Sequence, residues 1–520
     1  MKKILMVLTL YVFSFVSLSA FGIEGDRPIK NEGINLTSGV DESRDLDAEN
    51  PKKFPYIGQF VENLKNDGFI VRKGYLEAAF PLLSYEVGVI PSCYYINASA
   101  PYMVCALPLP TSSGQTVPNN NIRDFLHNGM WVDFRLRQDE AIVFIGWTPP
   151  AEVEYFSYRS YLYNRYLPGE KKFKDIFASL GDTLNNLTIV TTDKFKKPEP
   201  FYGSFTIIVT TANKKIYNLI SAAAQQANYP IEIINKDVIP LSLVNMGLDK
   251  ECDTFMFLNR IGPETKKNKK ILEDYRNSNP MLVFRLTPGQ INPPAPFEVP
   301  RLRVRGTGDT KELDLIPALK DLRKAILNKY KDFKATEFKT RIWIGEGYDA
   351  IQRGIEAYGE DRDVVYLKSE PFFLNNDPNE FLVIYGVNHA ATNKATYSNF
   401  SIYGTSHLNG VCGMTNHDFA GSAEKYLPGC KEAKYLYVWK VARRRCCKDH
   451  RNCLEVPFYK GIWGIDLSEE AFVGFRAYLE KATKVGPLST ELLYDRVIKF
   501  SPHRWWDQDT SIDTNSDKMK

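Results

Sequence analysis

Between about residues 54 and 192 the pattern of apolar and polar positions along this chain is mostly that of β-strands, and the period changes near residue 205. "VDFRLRQDEAIVFIGW" (132–147) and "EYFSYRSYLYNRYL" (154–167) are rich in aromatic and β-branched residues and predict strands. "SFTIIVTT", "NKKIYNLISAAAQQA" and "YPIEIINKDVI" then predict strand, helix, strand, with Ile216, Leu219, Ile220, Ala223 and Ala227 on one helical face. "DTFMFLNRI" predicts another strand, and the lysines of "PETKKNKKILEDYR" a solvated helix face.

Pro288, Pro293, Pro294, Pro296 and Pro300 cluster in "TPGQINPPAPFEVP", which can continue neither a helix nor a central strand. The reading is therefore an N-terminal α+β domain over 54–287, a Pro-rich linker over 288–310 and a C-terminal α+β domain over 311–506. In the second domain "LIPALKDLRKAILNKY" predicts a helix, residues 379–404 a hairpin, and "SEEAFVGFRAYLEKAT" a helix capped by Ser468.

"DEAIVFIG" (139–146) and "NEFLVIYG" (379–386) share Glu, Val and Gly in register, and each precedes an aromatic run, "YFSYRSYLY" and "TYSNFSIYG". Two related hairpins in two β-containing halves are expected, though buried strands also resemble one another by composition alone. The fold class is thus α+β: two halves, each a sandwich-like antiparallel sheet with flanking helices, related by internal duplication if the match is real. In that comparison Thr148-Pro149-Pro150 stands where the second half has Asn388-His389-Ala390.

The ends and the cysteines place the chain in a compartment. "MKKILMVLTLYVFSFVSLSAFG" (1–22) has the lysine, apolar and small-residue order of a secretory signal peptide; as a membrane anchor its apolar stretch is short. Residues 23–53 form an acidic leader too poor in apolar residues to order, and 507–520 a frayed tail. Eight cysteines suit an oxidising, secreted or periplasmic location. Cys93 and Cys105 flank two β-prone runs and are expected to pair, whereas Cys252, Cys412, Cys430, Cys446, Cys447 and Cys453 allow many connectivities. With 66 basic and 62 acidic residues, the chain gives no electrostatic reason for a nucleic-acid partner, and no later stretch resembles a membrane span.

Candidate chemistry concentrates between residues 389 and 453. His389, His407, His417 and His450 lie there, with Asn388, Ser406 and Asp418 as polar partners: the residue types of a hydrolase centre. The catalytic candidates are Asn388, His389, His407, His417 and Asp418, although no HExxH, GxSxG or paired CxxC spacing accompanies them. "CCKDHRNC" (446–453), beside Arg443, Arg444 and Arg445, reads as disulfide staples in preference to a metal knuckle. "IWIGEGYDA" has the glycine spacing of a relaxed dinucleotide fingerprint, but Asp349 would repel a pyrophosphate, so an ordinary strand-helix-strand crossover is expected and no cofactor or metal is assigned. Tyr155, Tyr161 and Tyr163 share one face of their strand and Phe156, Tyr158 and Leu162 the other, so one face could serve as a ligand platform. The expected function is an exported binding or interaction protein of unknown ligand or partner, using aromatic and polar surface on the sheets or between the halves; a hydrolase centred on residues 388–418 is the alternative.

Overall fold

A computed structural model describes residues 53–79, 81–86, 90–110, 130–192, 202–447 and 453–503. The signal peptide, nearly all of the acidic leader, the tail and His450 lie outside the described residues. The fold is mixed α and β, built on large curled antiparallel sheets. Among the described residues no helix is long and apolar enough to cross a membrane.

Up to the proline-rich segment the chain forms α1 (Ile57–Asn66), β1 (Phe69–Ala78), β2 (Tyr102–Ala106), β3 (Ala141–Trp147), β4 (Tyr155–Leu167), β5 (Lys172–Ser179), β6 (Leu184–Asn185), β7 (Phe205–Thr211), α2 (Lys214–Gln226), β8 (Ile234–Val238), β9 (Thr254–Gly262), α3 (Lys269–Asn277) and β10 (Met281–Pro288). The strands make one sheet in the order β5-β4-β9-β2-β1-β10-β3-β7-β8, with β6 on β4. The sheet curls over a core holding Phe144, Phe156, Tyr158, Phe257 and Val283. Its other face is covered by α1 and α2, through Phe60, Leu64, Ile216, Ile220 and Ala223. The leucine, isoleucine and phenylalanine side chains among these each contribute up to about 2–3 kcal/mol when fully buried. Asn213 starts α2 by accepting from the backbone N–H groups of Lys215 and Ile216. As the periodicity implied, β7, α2 and β8 form a crossover whose strands run parallel.

Beyond the prolines come α4 (Ile316–Lys329), β11 (Lys334–Phe338), β12 (Thr340–Ile342), α5 (Gly347–Arg353), β13 (Val364–Ser369), β14 (Phe381–Val387), β15 (Tyr397–Gly404), β16 (Gly410–Thr415), α6 (Asn416–Phe419), β17 (Leu436–Ala442), α7 (Arg444–Cys447), β18 (Cys453–Glu455), β19 (Ala471–Tyr478) and β20 (Arg496–Ser501). Two sheets result, β11-β20-β14-β17-β18 and β12-β13-β19-β15-β16. Leu382 and Ile384 of the first meet Phe400, Ile402 and Phe475 of the second in the sandwich core. The outer face of the first is covered by α4, through Leu319, Leu322 and Ile326. Ala350, Ile351 and Ala357, however, pack into the core of the first sheet.

Several local expectations change. β3 pairs with β10 and β7, and β14 with β20 and β17, so neither is the first arm of a hairpin with the aromatic strand that follows it. "AFVGFRAY" is strand β19, not a helix: it lies between β13 and β15, both its faces are buried, and Gly474 leaves room for the rings of Tyr403 and Trp343. β12 and β13 are antiparallel, so the segment around α5 is no parallel crossover. A Cβ on Gly347 would lie 2.0 Å from Glu360 Oε1, which makes this glycine a packing position.

Among the described residues one disulfide forms, Cys447–Cys453. Cys93 and Cys105 do not pair and stand as free thiols, as do Cys252, Cys412, Cys430 and Cys446. Successive β2 side chains alternate: Val104 and Ala106 face one core and Met103 and Cys105 another, leaving Cys105 turned away from Cys93. Burial pushes the Cys93 thiol up to about 12.

Gly146 and Gly386 end β3 and β14 where the neighbouring chain approaches closely. Gly146 has φ +156°, and a Cβ there would sit 2.2 Å from the Pro280 carbonyl oxygen and 2.8 Å from Met281 Cα; on Gly386 it would meet Asp495 Oδ1 at 2.4 Å. Gly146→Ala is therefore expected to cost about 3 kcal/mol, from overpacking against backbone and a strained φ, read as a lower urea midpoint with unchanged slope.

Candidate ligand-binding cavity

The five residues singled out for catalysis do not converge. His389 is buried and held by Glu312, whose carboxylate oxygens lie 2.9 and 3.0 Å from Nδ1; Asp495 Oδ2 is 4.0 Å from Nε2. Burial alone would lower the His389 pKa, but the two carboxylates outweigh it and raise it to about 9. The imidazolium is thus a structural cation at neutral pH. Asn388 donates to the Asn416 carbonyl, 3.3 Å. His407 Nδ1 lies 3.0 Å from Tyr85 Oη, and half-exposed His417 sits 3.0 Å from Glu154. Asp418 closes a capping box with Thr415 at the start of α6, and Ser406 donates its backbone N–H to Glu469.

A cavity of about 110 Å³ lies elsewhere, where the first sheet meets the second sandwich sheet. Its apolar wall includes Val104, Met256, Leu258 and Ile344, with the rings of Tyr94, Tyr102, Tyr366 and Tyr478. For scale, a dry cavity of about 150 Å³ takes up benzene. Two guanidinium groups, Arg260 on β9 and Arg476 on β19, also line it, although each residue is only 5% exposed.

These two arginines occupy matching positions. Arg260 stands opposite Tyr102 on β2 and Ser157 on β4; Arg476 stands opposite Tyr366 on β13 and Asn399 on β15. Arg260 lies 5.7 and 5.4 Å from the ring centres of Tyr102 and Tyr161, Arg476 5.5 and 5.4 Å from those of Tyr366 and Tyr403. Each Nη2 donates to a carbonyl of the opposite half, Arg260 to Gly359 and Arg476 to Tyr95, the latter at 2.7 Å. Two residues beyond those carbonyls, Asp361 and Asn97 make the same turn: Asp361 Oδ1 accepts from Asp363 N–H at 2.9 Å, and Asn97 Oδ1 from Ser99 N–H at 3.0 Å.

The match ends at charge. Asp361 forms an ion pair with Arg260 at 2.8 Å and accepts from Tyr155 Oη at 2.7 Å. At the corresponding turn stands the neutral amide of Asn97, which accepts from Asn399 and donates to Tyr478. Arg476 bonds to Tyr403 Oη and the Tyr95 carbonyl, and no carboxylate among the described residues pairs with it. Beside Asp361, Asp363 is raised to about 7 by burial and by that neighbour, against the bonds from Thr183, Asn185 and Tyr155.

Sequence reasoning missed Arg260, Arg476, Asp361 and Asn97. Part of the signal was present: the aromatic runs after β3 and β14 align Tyr155 with Tyr397 and Tyr161 with Tyr403, whereas the two arginines match only through their strand partners. No protein-family model matches the chain, and no curated protein matches its sequence.

Proposed function

We propose that this is an exported binding protein that takes a small, largely apolar molecule into the cavity between two duplicated halves. The observation carrying this reading is that the wall includes three matching pairs, Tyr102 with Tyr366, Arg260 with Arg476 and Tyr95 with Gly359. Interfaces between domains are a common place for ligands.

Duplication is supported by strand neighbours. The run β10-β3-β7 with parallel β8 corresponds to β20-β14-β17 with parallel β18, and β5-β4-β9-β2 to β16-β15-β19-β13. The backbone N–H groups of Thr148 and Asn388 bond to Ser204 and Tyr435, each just before the matching strand β7 or β17. His389 thus belongs to a loop whose counterpart, Thr148-Pro149-Pro150, has no imidazole. Export is supported by the Cys447–Cys453 disulfide and by the residue order of 1–22. The hydrolase reading draws no support from residues 388–418, since its candidates stand apart.

Leu258→Trp tests the site by filling it. Saturation-transfer NMR of the full-length protein with toluene is expected to show binding in the wild type and at least a tenfold loss in the variant; equal signals in both, or none in the wild type, would remove the cavity as the site.

A further inference from the structure

Resting on that reading, we infer that the ligand carries a carboxylate that binds Arg476, in the place that Asp361 fills beside Arg260. A guanidinium has five N–H donors in a planar fork. Arg476 gives two of them to Tyr403 and Tyr95, while Trp343, Tyr366 and Tyr403 surround the group. Arg476 is a buried cation at the cavity wall with no carboxylate partner among the described residues, and a buried charge without a counter-charge is costly.

The other half shows a counter-charge in this geometry. The same strand position, the same tyrosines and the same cross-half carbonyl are completed there by an aspartate. Asn97 keeps the turn but not the charge, so the second arginine has no carboxylate beside it among the described residues. A monoanion balances it, whereas a phosphate dianion would bring an unmatched second charge against Val104, Met256 and Leu258. The ligand is therefore a small carboxylic acid with an apolar body.

Calorimetric titration of the full-length protein at pH 7 with benzoate, benzamide and benzylamine separates the possibilities. Benzoate is expected to bind at least tenfold more tightly than its neutral isostere benzamide, with benzylamine weakest. In Arg476→Met, benzoate should bind no more tightly than benzamide does to the same variant. Equal wild-type affinities for benzoate and benzamide, both lost in Leu258→Trp, would overturn the carboxylate site and leave the cavity standing. A benzoate preference that survives Arg476→Met would also overturn it. Failure of all three to bind would overturn both readings. The wild-type comparison decides the matter even if a variant folds poorly.

Discussion

Replacing His389 by leucine is expected to destabilise the protein by about 3–5 kcal/mol near pH 6.5, because Glu312 and Asp495 would remain buried without their shared cation. Thr392 and the Leu493 N–H would still bond to Glu312, and Tyr437 to Asp495, but neutral donors do not replace a counter-charge. The wild type should show the linkage. A histidine raised from 6.5 to about 9 adds stability that is complete below pH 6.5 and is lost as pH rises through 9. Urea denaturation at pH 6.5, 8 and 10 should therefore show the gap between wild type and His389→Leu narrowing with pH. A gap independent of pH would mean that the imidazole is neutral in the folded protein.

The second large effect is a contrast between matched positions. Arg260→Met is expected to cost about 3–5 kcal/mol at pH 7, since it leaves Asp361 buried beside Asp363 without a cation. Arg476→Met should cost only about 1 kcal/mol: it loses two hydrogen bonds and its ring contacts but removes an unbalanced buried charge, orphaning no carboxylate. The Arg260→Met deficit should shrink as pH falls from 7 toward 4, because protonation removes the repulsion between the two aspartates. Paired chemical melts of the two variants check this, and equal losses would show that the two arginines are balanced alike.

What could be read from the sequence followed the strength of local pattern. The β7-α2-β8 unit, the helix α4 with Pro317 in its first turn and the two-faced strand β4 were legible because each repeats its period over many residues and is flanked by clear breaks. β19 was misread because Ser468, Glu469 and Glu470 imitate a helix start, while burial of both faces erases the alternation that marks a strand. Strand partners were beyond reach: β3 finds β10 some 140 residues later, and nothing local encodes that. The histidines drew attention as chemically versatile residues, yet their partners, Glu312 for His389 and Tyr85 for His407, are far away in sequence and turn them into structural contacts. The arginines were hidden for the opposite reason, as single basic residues inside apolar strands whose importance appears only when two half-cavities face each other.

The crossed contacts also bear on how the molecule comes apart. Tyr155 reaches Asp361, Asn185 reaches Asp363, Asn97 reaches Tyr478 and Arg362 reaches Asp182, every bond joining residues on opposite sides of the proline-rich segment. Pulling one sheet system from the other would bare several buried ions at once, so neither has a low-energy way to melt first. Two architectures joined by an irregular strap should consequently behave on heating as a single cooperative unit.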